Sequence, residues 1–220
     1  MSTRFFVTGT DTEVGKTHVT AALAAAWRAA GADLRAIKPL ATGEPWPGGD
    51  ARALSAAAGH PPLVHLCLPE PAAPARAAAL AGVEIHPGRL LDWLRGAMGE
   101  GPALVEGVGG WRVPIAPGFG VPELAQALGF PVLVVAANRL GCINHTLLTV
   151  EAVQQAGLSV AGVVLNDAFG CRPALAAWNL SDLRAALGEL PVWPFAHGDG
   201  AAAGARVLSA LGALPPEGPR

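Results

Sequence analysis

The sequence has little net charge and few cysteines, and each shortage excludes a class of protein. Its 220 residues include 15 Lys and Arg against 17 Asp and Glu, giving a formal net charge of −2 and a pI near 6.3. This balance does not provide the broad basic surface on which nucleic-acid binding usually depends. The three cysteines (Cys67, Cys142 and Cys171) lie far apart without a CxxC pair, so we expect neither a disulfide framework nor a zinc site.

Long apolar runs are also missing. The most apolar stretch, residues 130–137, is far shorter than the roughly 20 residues that a membrane-spanning helix needs. The first six residues pass directly into a strand pattern instead of the apolar core of a secretion signal. We therefore expect a cytoplasmic protein with no membrane and no nucleic acid among its partners.

Lysine is scarce as well. Only Lys16 and Lys38 occur among the 15 cationic residues, and arginine supplies the rest. A lysine kept against this bias indicates a site that needs a compact ammonium rather than a planar guanidinium. The alternative explanation is chance or codon bias.

What is present favours a compact globule. Hydrophobic residues make up 51% of the chain, with 28 Gly and 20 Pro, and a chain of this length can bury well over half of its unfolded surface. The length favours one domain spanning residues 1–220, of which residues 213–220 are expected to form a loose tail.

Short apolar runs alternate with Ala- and Leu-rich helical patterns along the chain. Strands are predicted at 4–8, 35–37, 103–106, 132–137, 160–165 and 192–193, and helices at 16–30, 50–58, 89–98, 145–156, 174–187 and 200–212. Strands with little polar alternation are typical of a parallel sheet that is covered on both faces. The pattern predicts an α/β fold with one doubly wound, mostly parallel sheet, whose ligands lie beyond the carboxyl ends of the strands. Residues 59–88 are predicted to be irregular apart from one short helix.

A glycine-containing segment follows the first predicted strand. Residues 9–17 read Gly-Thr-Asp-Thr-Glu-Val-Gly-Lys-Thr, which fits the phosphate-binding pattern G-x-x-x-x-G-K-T with Thr10 at the first glycine. Gly15 lacks a Cβ and so lets backbone N–H groups surround phosphate oxygens. Lys16 would reach the outer phosphates and Thr17 would bind Mg²⁺ through its hydroxyl. The segment therefore predicts a nucleotide-phosphate site at the start of a helix.

Two carboxylates are candidates for the rest of the Mg²⁺ environment. Glu106 ends a predicted buried strand and precedes a glycine-rich turn, and Asp50 begins a predicted helix. Mg²⁺ prefers a few carboxylate or hydroxyl oxygens together with water and phosphate. Each residue also has a structural explanation, because Glu106 would serve as a solvated strand-end carboxylate and Asp50 as a helix cap.

Two more segments fall on the predicted ligand edge of the sheet. Lys38 ends the second predicted strand, where its ammonium would steer an anion or act in catalysis, and Thr42 follows in the same loop. Residues 141–144, Gly-Cys-Ile-Asn, lie between a predicted strand and a helix. Their N–H groups would hold an anion, or the segment is an ordinary strand–helix turn.

Five blocks of sequence together resemble the dethiobiotin synthetase family. In chain order they are residues 6–17, Lys38-Pro39 with Thr42-Gly43, Val105-Glu106-Gly107 with Gly109-Gly110-Trp111, Leu140-Gly141-Cys142-Ile143-Asn144-His145, and Asn166-Asp167. The resemblance covers about residues 4–196 and implies a fold of the P-loop NTPase type. This sequence has Thr42 where the family commonly has Ser, Val108 within the glycine turn, and a shortened segment before Pro194.

The resemblance implies a reaction. The family joins CO₂ to 7,8-diaminopelargonic acid at the expense of ATP and releases dethiobiotin, ADP and phosphate. One substrate amine becomes a carbamate, whose oxygen attacks the γ-phosphate to form a carbamic–phosphoric anhydride, and the second amine then closes the ureido ring. Mg²⁺ is the implied cofactor, ATP is a co-substrate, and the implied assembly is a homodimer with sites at the subunit interface.

The resemblance also implies a role for each matching residue. Lys38 and Lys16 would be catalytic, and Thr17, Asp50 and Glu106 would bind the metal. The implied nucleotide contacts are Thr12, Glu13, Val14, Gly15, Lys16, Thr17, His18, Asp50, Glu106, Gly107, Val108, Gly109, Asn166, Asp167, Pro194, Phe195 and Ala196. The implied substrate contacts are Thr12, Lys38, Thr42, Gly141, Cys142, Ile143 and Asn144, the last four reaching the site of the other subunit.

Two other functions use the same kind of fold. A dimeric switch ATPase of the partitioning or metal-insertion type often carries a second lysine early in its phosphate loop, and residues 10–14 contain none. A nucleotide-dependent amide synthase acting on a corrinoid side chain is the other alternative, but nothing in the sequence resembles an appended glutaminase domain.

Overall fold

The computed structural model describes residues 3–214. Its strands are β1 (Arg4–Gly9), β2 (Arg35–Ile37), β3 (Leu40–Thr42), β4 (Leu66–Leu68), β5 (Ala103–Gly110), β6 (Pro114–Ala116), β7 (Phe119–Gly120), β8 (Val132–Ala137), β9 (Val160–Asn166) and β10 (Val192–Phe195). Its helices are α1 (Lys16–Ala29), α2 (Gly49–Ala58), α3 (Pro74–Ala81), α4 (Pro87–Met98), α5 (Val121–Leu128), α6 (Cys142–Gln155), α7 (Pro173–Leu187) and α8 (Ala201–Ala210).

In the described part of the chain, six strands form the central sheet, in the order β10-β9-β8-β1-β5-β2, and every neighbouring pair is parallel. Val7 of β1 lies opposite Glu106 of β5 on one side and Leu133 of β8 on the other. The loops that follow these strands consequently emerge at one edge of the sheet. The predicted parallel α/β sheet is confirmed.

Helices cover both faces of this sheet, because successive side chains of each strand point to opposite sides. Phe6 of β1 packs in a core with side chains of α4, α5, α6 and α7, among them Leu90 and Leu124. Phe5 and Val7 pack in a second core with α1, α2 and α8. The predicted doubly wound arrangement is therefore confirmed.

Two small two-stranded sheets lie outside the predicted pattern. β3 pairs with β4 in parallel, and β6 pairs with β7 antiparallel. Residues 59–88 contain many Pro and Ala residues and were expected to be irregular. The strand β4 within them was not predicted, because a strand of three residues shows no readable alternation. The single short helix expected there is α3, which begins at Pro74, a residue that suits the first helical position.

The carboxyl-terminal part of the described chain packs against the fold. The Trp27 indole donates a 2.8 Å hydrogen bond to the carbonyl of Ala213, and Ala213 is buried. The predicted loose tail of residues 213–220 therefore begins no earlier than residue 214, and residues 215–220 lie outside the described part. Within residues 3–214, no helix is long and apolar enough to cross a membrane.

Candidate functional site

A central cavity of about 420 Å³ lies where the loops after β1 and β2 meet the last residues of β5. Its position follows from the parallel sheet, whose strands all direct their carboxyl ends to this edge. It has an ordinary size for a small-molecule site. The residues that line it are Thr12, Glu13, Gly15, Lys16, Thr17, Lys38, Thr42, Glu44, Asp50, Val108 and Gly109.

The loop between β1 and α1 forms one wall and has the conformation of an anion-binding loop. Gly15 has a φ of 87° and Glu13 a φ of 57°, so two residues of the loop adopt the left-handed region. The Asn166 amide of β9 donates a 2.9 Å hydrogen bond to the carbonyl of Val14, and a Cβ at Gly15 would collide with the same amide. Glycine is required at position 15 for both reasons.

Lys16 lies at the first position of α1 and is 7% exposed. Its ammonium donates a 3.0 Å hydrogen bond to the carbonyl of Asp11, within the same loop. Burial and the neighbouring Lys38 charge lower the pKa of Lys16 to about 8, although Glu106, Asp50 and Asp11 oppose that shift. A negatively charged ligand in the cavity would favour the charged form of Lys16 and so raise its pKa again.

Lys38 lies between two carboxylates and is 3% exposed. Its ammonium is 2.6 Å from Glu106 Oε1, 2.8 Å from Asp50 Oδ2 and 3.1 Å from the carbonyl of Gly107. Burial by itself would lower the pKa of Lys38, but Glu106 and Asp50 together raise it. Burial would raise the pKa of Asp50, but the Lys38 contact lowers it. Lys38 is therefore held charged in the cavity.

The oxygen atoms beside Lys16 fit a magnesium ion. The Thr17 hydroxyl donates a 2.7 Å hydrogen bond to Glu106 Oε1. Glu106 is fully buried, and its Oε2 has no hydrogen-bond partner among residues 3–214. In that part of the chain no three His, Cys, Asp or Glu side chains converge as a metal site. A cation held by two carboxylates and one hydroxyl must complete its shell with water or ligand oxygens, as Mg²⁺ does.

Charge also favours a cation. Lys16 and Lys38 line the cavity together with three acidic side chains, those of Glu13, Glu44 and Asp50. The lining therefore offers no excess of positive charge to neutralise a bound triphosphate. A triphosphate entering this buried space would need an accompanying divalent cation.

A side cavity of about 340 Å³ lies on the other side of the phosphate loop. One amide hydrogen of Asn166 is already used by Val14, and the His18 ring packs edge-on against Phe195 with centroids 5.7 Å apart. Four of the predicted nucleotide contacts line this cavity: Gly15, His18, Asn166 and Asp167. The predicted contacts Pro194, Phe195 and Ala196 do not line it themselves, but the two residues that follow them, His197 and Gly198, do. Asp167 accepts a hydrogen bond from the Cys171 amide and so closes its own loop.

An adjoining cavity of about 430 Å³ extends the central one and shares Thr12, Glu13, Thr42, Val108 and Gly109 with it. Its other walls are apolar and come from residues 71–74 and from Val113. The two cavities together offer a charged end and an apolar end.

The segment from Gly141 to Asn144 lies apart from these cavities. Gly141, with a φ of 90°, precedes α6, and Cys142, Ile143 and Asn144 form its first turn. None of the four lines the central, adjoining or side cavity. Leu140 and Leu148, beside the same turn, are 85% and 57% exposed.

Sequence reasoning missed several residues around the cavities. Glu44 lines the central cavity and His197 lines the side cavity. Glu44 could have been identified from its position two residues after Thr42, a predicted substrate contact in the same loop. For His197 the signal was its position directly after the predicted contact Ala196.

Fold and site together define a P-loop nucleotide-binding protein, because β1 of a parallel sheet is followed by a loop that ends in Gly15-Lys16-Thr17 at the start of α1. The solved structure of a ParA family ATPase from Chlorobium tepidum matches with a TM-score of 0.57 at 14% identity, covering 97% of this chain and 92% of that one. At this identity the likeness concerns the fold alone.

The chain also matches a family model described as "AAA domain" over residues 3–216. The ATP-dependent dethiobiotin synthetase BioD of Aromatoleum aromaticum is 44% identical over 172 residues, which cover 74% of this chain and 76% of the relative. The protein of the same name from an Anaeromyxobacter species is 43% identical over 201 residues, which cover 87% and 89%. The chain belongs to the ATP-dependent dethiobiotin synthetase family, and the resemblance of its motifs is confirmed.

Proposed function

We propose that this protein joins CO₂ to 7,8-diaminopelargonic acid with ATP, giving dethiobiotin, ADP and phosphate. The observation that carries the proposal is the cluster of Lys16, Lys38, Glu106 and Asp50 beside a phosphate loop, in which all but Asp50 are buried. This cluster, in a chain of the dethiobiotin synthetase family, provides the charges that carboxyl activation by phosphoryl transfer requires.

The nucleotide would lie across the phosphate loop. Its phosphates would occupy the central cavity, where Gly15 and the first turn of α1 offer N–H groups and Lys16 offers an ammonium. Its base would occupy the side cavity, where Asn166 has a second amide hydrogen and His18 provides a ring. The distribution of the predicted contacts over these two cavities supports this placement.

Thr17, Asp50 and Glu106 would hold Mg²⁺, which when bound neutralises phosphate charge. The Thr17–Glu106 hydrogen bond, the contacts of Asp50 and Glu106 with Lys38 and the unpaired Glu106 oxygen support the assignment. Glu106 would additionally keep Lys38 in the cavity.

The second substrate would place its amines near Lys38 and Thr42 and its carbon chain in the apolar part of the adjoining cavity. Nitrogen of one amine bonds to CO₂ and loses a proton to solvent, which forms a carbamate. A carbamate oxygen then bonds to the γ-phosphorus as the bond to ADP breaks. Finally the second amine bonds to the carbamate carbon, phosphate leaves, and the amine loses a proton. Lys38 would stabilise the carbamate and the transferring phosphoryl group.

The substrate carboxylate would be held by residues 141–144 of a second copy of the chain, in a homodimer. The four residues line neither the central nor the adjoining cavity of their own chain, and their N–H groups begin a helix of 14 residues. Exposed Leu140, which precedes the turn, and exposed Leu148 on α6 suit burial in such an interface.

We further propose a single domain over residues 1–220 and a cytoplasmic location.

A product assay tests the proposed function directly. Purified protein with ATP, Mg²⁺, bicarbonate and diaminopelargonic acid should form dethiobiotin, identified by mass, with one ADP for each product. A switch ATPase of the kind that shares this fold would instead hydrolyse ATP at the same rate with or without the diamine. ADP formation independent of the diamine, with no dethiobiotin, would overturn the proposal.

We expect nucleotide affinity to fall as the pH rises above 8. In the free protein the pKa of Lys16 is about 8, and phosphate contacts would raise it toward its ordinary value. Below pH 7 the lysine is charged in both states, whereas above pH 8 binding must take up a proton, weakening affinity by up to about tenfold per pH unit. Calorimetry with a non-hydrolysable ATP analogue, in two buffers of different ionisation enthalpy, measures both the affinity and the number of protons taken up on binding. Constant affinity between pH 8 and 9.5 would contradict the assignment.

We expect Asp50→Asn and Glu106→Gln each to raise the Mg²⁺ concentration for half-maximal activity at least about fivefold, since each removes one anionic oxygen ligand. Titration of dethiobiotin formation with Mg²⁺ at saturating substrates measures the effect. Asp92→Asn is the matched control, because Asp92 is exposed and pairs only with Arg95 among the contacts of residues 3–214. An unchanged titration in either site variant would leave that residue with a structural role.

We expect specific activity to depend on dimer formation, because each site would borrow residues 141–144 from its partner. Sedimentation should show a dimer, and activity per chain should fall on dilution through the dissociation range. A monomer that is fully active at the assay concentration would rule out shared sites.

A further inference from the structure

Helix α2 begins at a point where its backbone needs an outside partner. The residue before it, Gly48, has no side chain to cap the helix, and Gly49 is its first residue. The carboxylate of Glu44 accepts a hydrogen bond from the Gly49 amide. The first N–H groups of a helix have no partner within the helix, and a carboxylate there also interacts favourably with the helix dipole.

The backbone of Glu44 is fixed from the opposite side. Its carbonyl accepts a 3.1 Å hydrogen bond from the Cys67 thiol of β4, and the amide of the preceding Gly43 bonds to Leu68 of the same strand at 2.9 Å. The Gly48 amide bonds to the carbonyl of Pro45 at 2.8 Å, which closes the turn between them. Glu44 thus links the small β3–β4 sheet to the start of α2.

The next residue of α2 is Asp50, whose carboxylate is 2.8 Å from Lys38. A shift of the helix start would move this carboxylate away from the ammonium. We propose that Glu44 is a positioning residue, which holds the first turn of α2 so that Asp50 reaches Lys38 and the metal position. This inference rests on the proposed function, in which Asp50 and Lys38 act on the phosphates.

A direct role of Glu44 on the ligand is less favourable. Glu44 lines the central cavity, but its Oε2 accepts the hydrogen bond of the Gly49 amide, and a further negative charge facing a triphosphate would be repulsive. A Cβ added to Gly49 would lie 2.8 Å from Glu44 Oε2, so glycine at this position keeps the carboxylate close to the helix. The contact of Glu44 is with backbone, and its effect on chemistry passes through Asp50.

Four variants test the proposal: Glu44→Ala, Glu44→Gln, Asp50→Asn and the double variant Glu44→Ala with Asp50→Asn. We expect Glu44→Ala to raise the Mg²⁺ concentration for half-maximal activity about fivefold, in line with the loss of one ordinary capping contact. Glu44→Gln keeps an acceptor oxygen and should stay within about twofold of the wild type. The double variant should match Asp50→Asn alone, since contributions through one residue are not additive. Glu189→Ala, an exposed residue, is the matched control.

Hydrogen exchange at the Gly49 amide provides a readout that does not depend on activity. It should be faster in Glu44→Ala than in the wild type, with thermal unfolding confirming that both variants fold. Additive effects in the double variant, a Glu44→Gln as impaired as Glu44→Ala, or unchanged Gly49 exchange would each overturn the positioning role. Failure of the wild type to form dethiobiotin would instead contradict the proposed function, and the exchange result would still decide whether Glu44 holds the helix.

Discussion

Lys16→Ala is expected to lower the rate of dethiobiotin formation at least about a hundredfold, equivalent to roughly 2.7 kcal/mol of transition-state stabilisation. Lys16 supplies one of the two ammonium groups that line the central cavity among the described residues. The charge on a transferring phosphoryl group is spread over several oxygens, so losing one cation beside it removes stabilisation that water cannot replace in a buried site.

The same substitution should leave the fold intact. In the free protein the site disfavours the charged form of Lys16, because burial and Lys38 lower its pKa to about 8. Alanine is also a good helix former at the start of α1. Circular dichroism and thermal unfolding of Lys16→Ala should therefore resemble those of the wild type. Arg89→Ala, which removes an exposed cation on α4, should keep full activity. If Lys16→Ala formed dethiobiotin at the normal rate, the phosphate-loop assignment would be wrong.

Sequence reasoning predicted the parts of the site that follow from strand order. The carboxyl ends of parallel strands meet at one edge, so the loop after β1 and Glu106, predicted at the end of a strand over 103–106, were expected to meet. Thr17 and Glu106 do so at 2.7 Å. The strand itself is longer than predicted, because β5 continues to Gly110 and Glu106 lies buried within it. The helices on both faces followed in the same way from strands without polar alternation.

The contacts within the cluster were not predictable. Lys38 and Glu106 are separated by 68 residues and touch at 2.6 Å, and no local pattern specifies that distance. Because Pro39 follows β2, the next residues were expected to form a loop. Instead, β3 starts one residue later and pairs with β4, a strand of three residues that is distant in the sequence. Glu44 was also overlooked, because its contact with the Gly49 amide depends on how the chain folds in space and not on any sequence motif.

Lys38→Arg is expected to lower turnover about a hundredfold while raising the KM for ATP by no more than about threefold. Among residues 3–214, three acceptors surround the Lys38 ammonium, namely Glu106 Oε1, Asp50 Oδ2 and the Gly107 carbonyl. An ammonium has three hydrogens and can bond to all three around one centre, whereas a guanidinium is planar and wide. At a position that is 3% exposed, the larger group must also displace its neighbours. ATP affinity should change less, because Lys16 and the loop N–H groups would hold most of the phosphate charge.

Stability measurements separate this expectation from simple misfolding. Lys38→Met would leave the buried carboxylate of Glu106 without its cation, which typically costs about 3–5 kcal/mol of folding free energy. Lys38→Arg keeps the charge and should lose no more than about 3 kcal/mol, the usual upper end for overpacking. Arg89→Lys exchanges the same two cations at an exposed position and should change neither rate nor unfolding. Steady-state rates of the folded Lys38→Arg protein then decide the matter, because turnover near that of the wild type would show that Lys38 contributes its charge to the fold and not to the reaction.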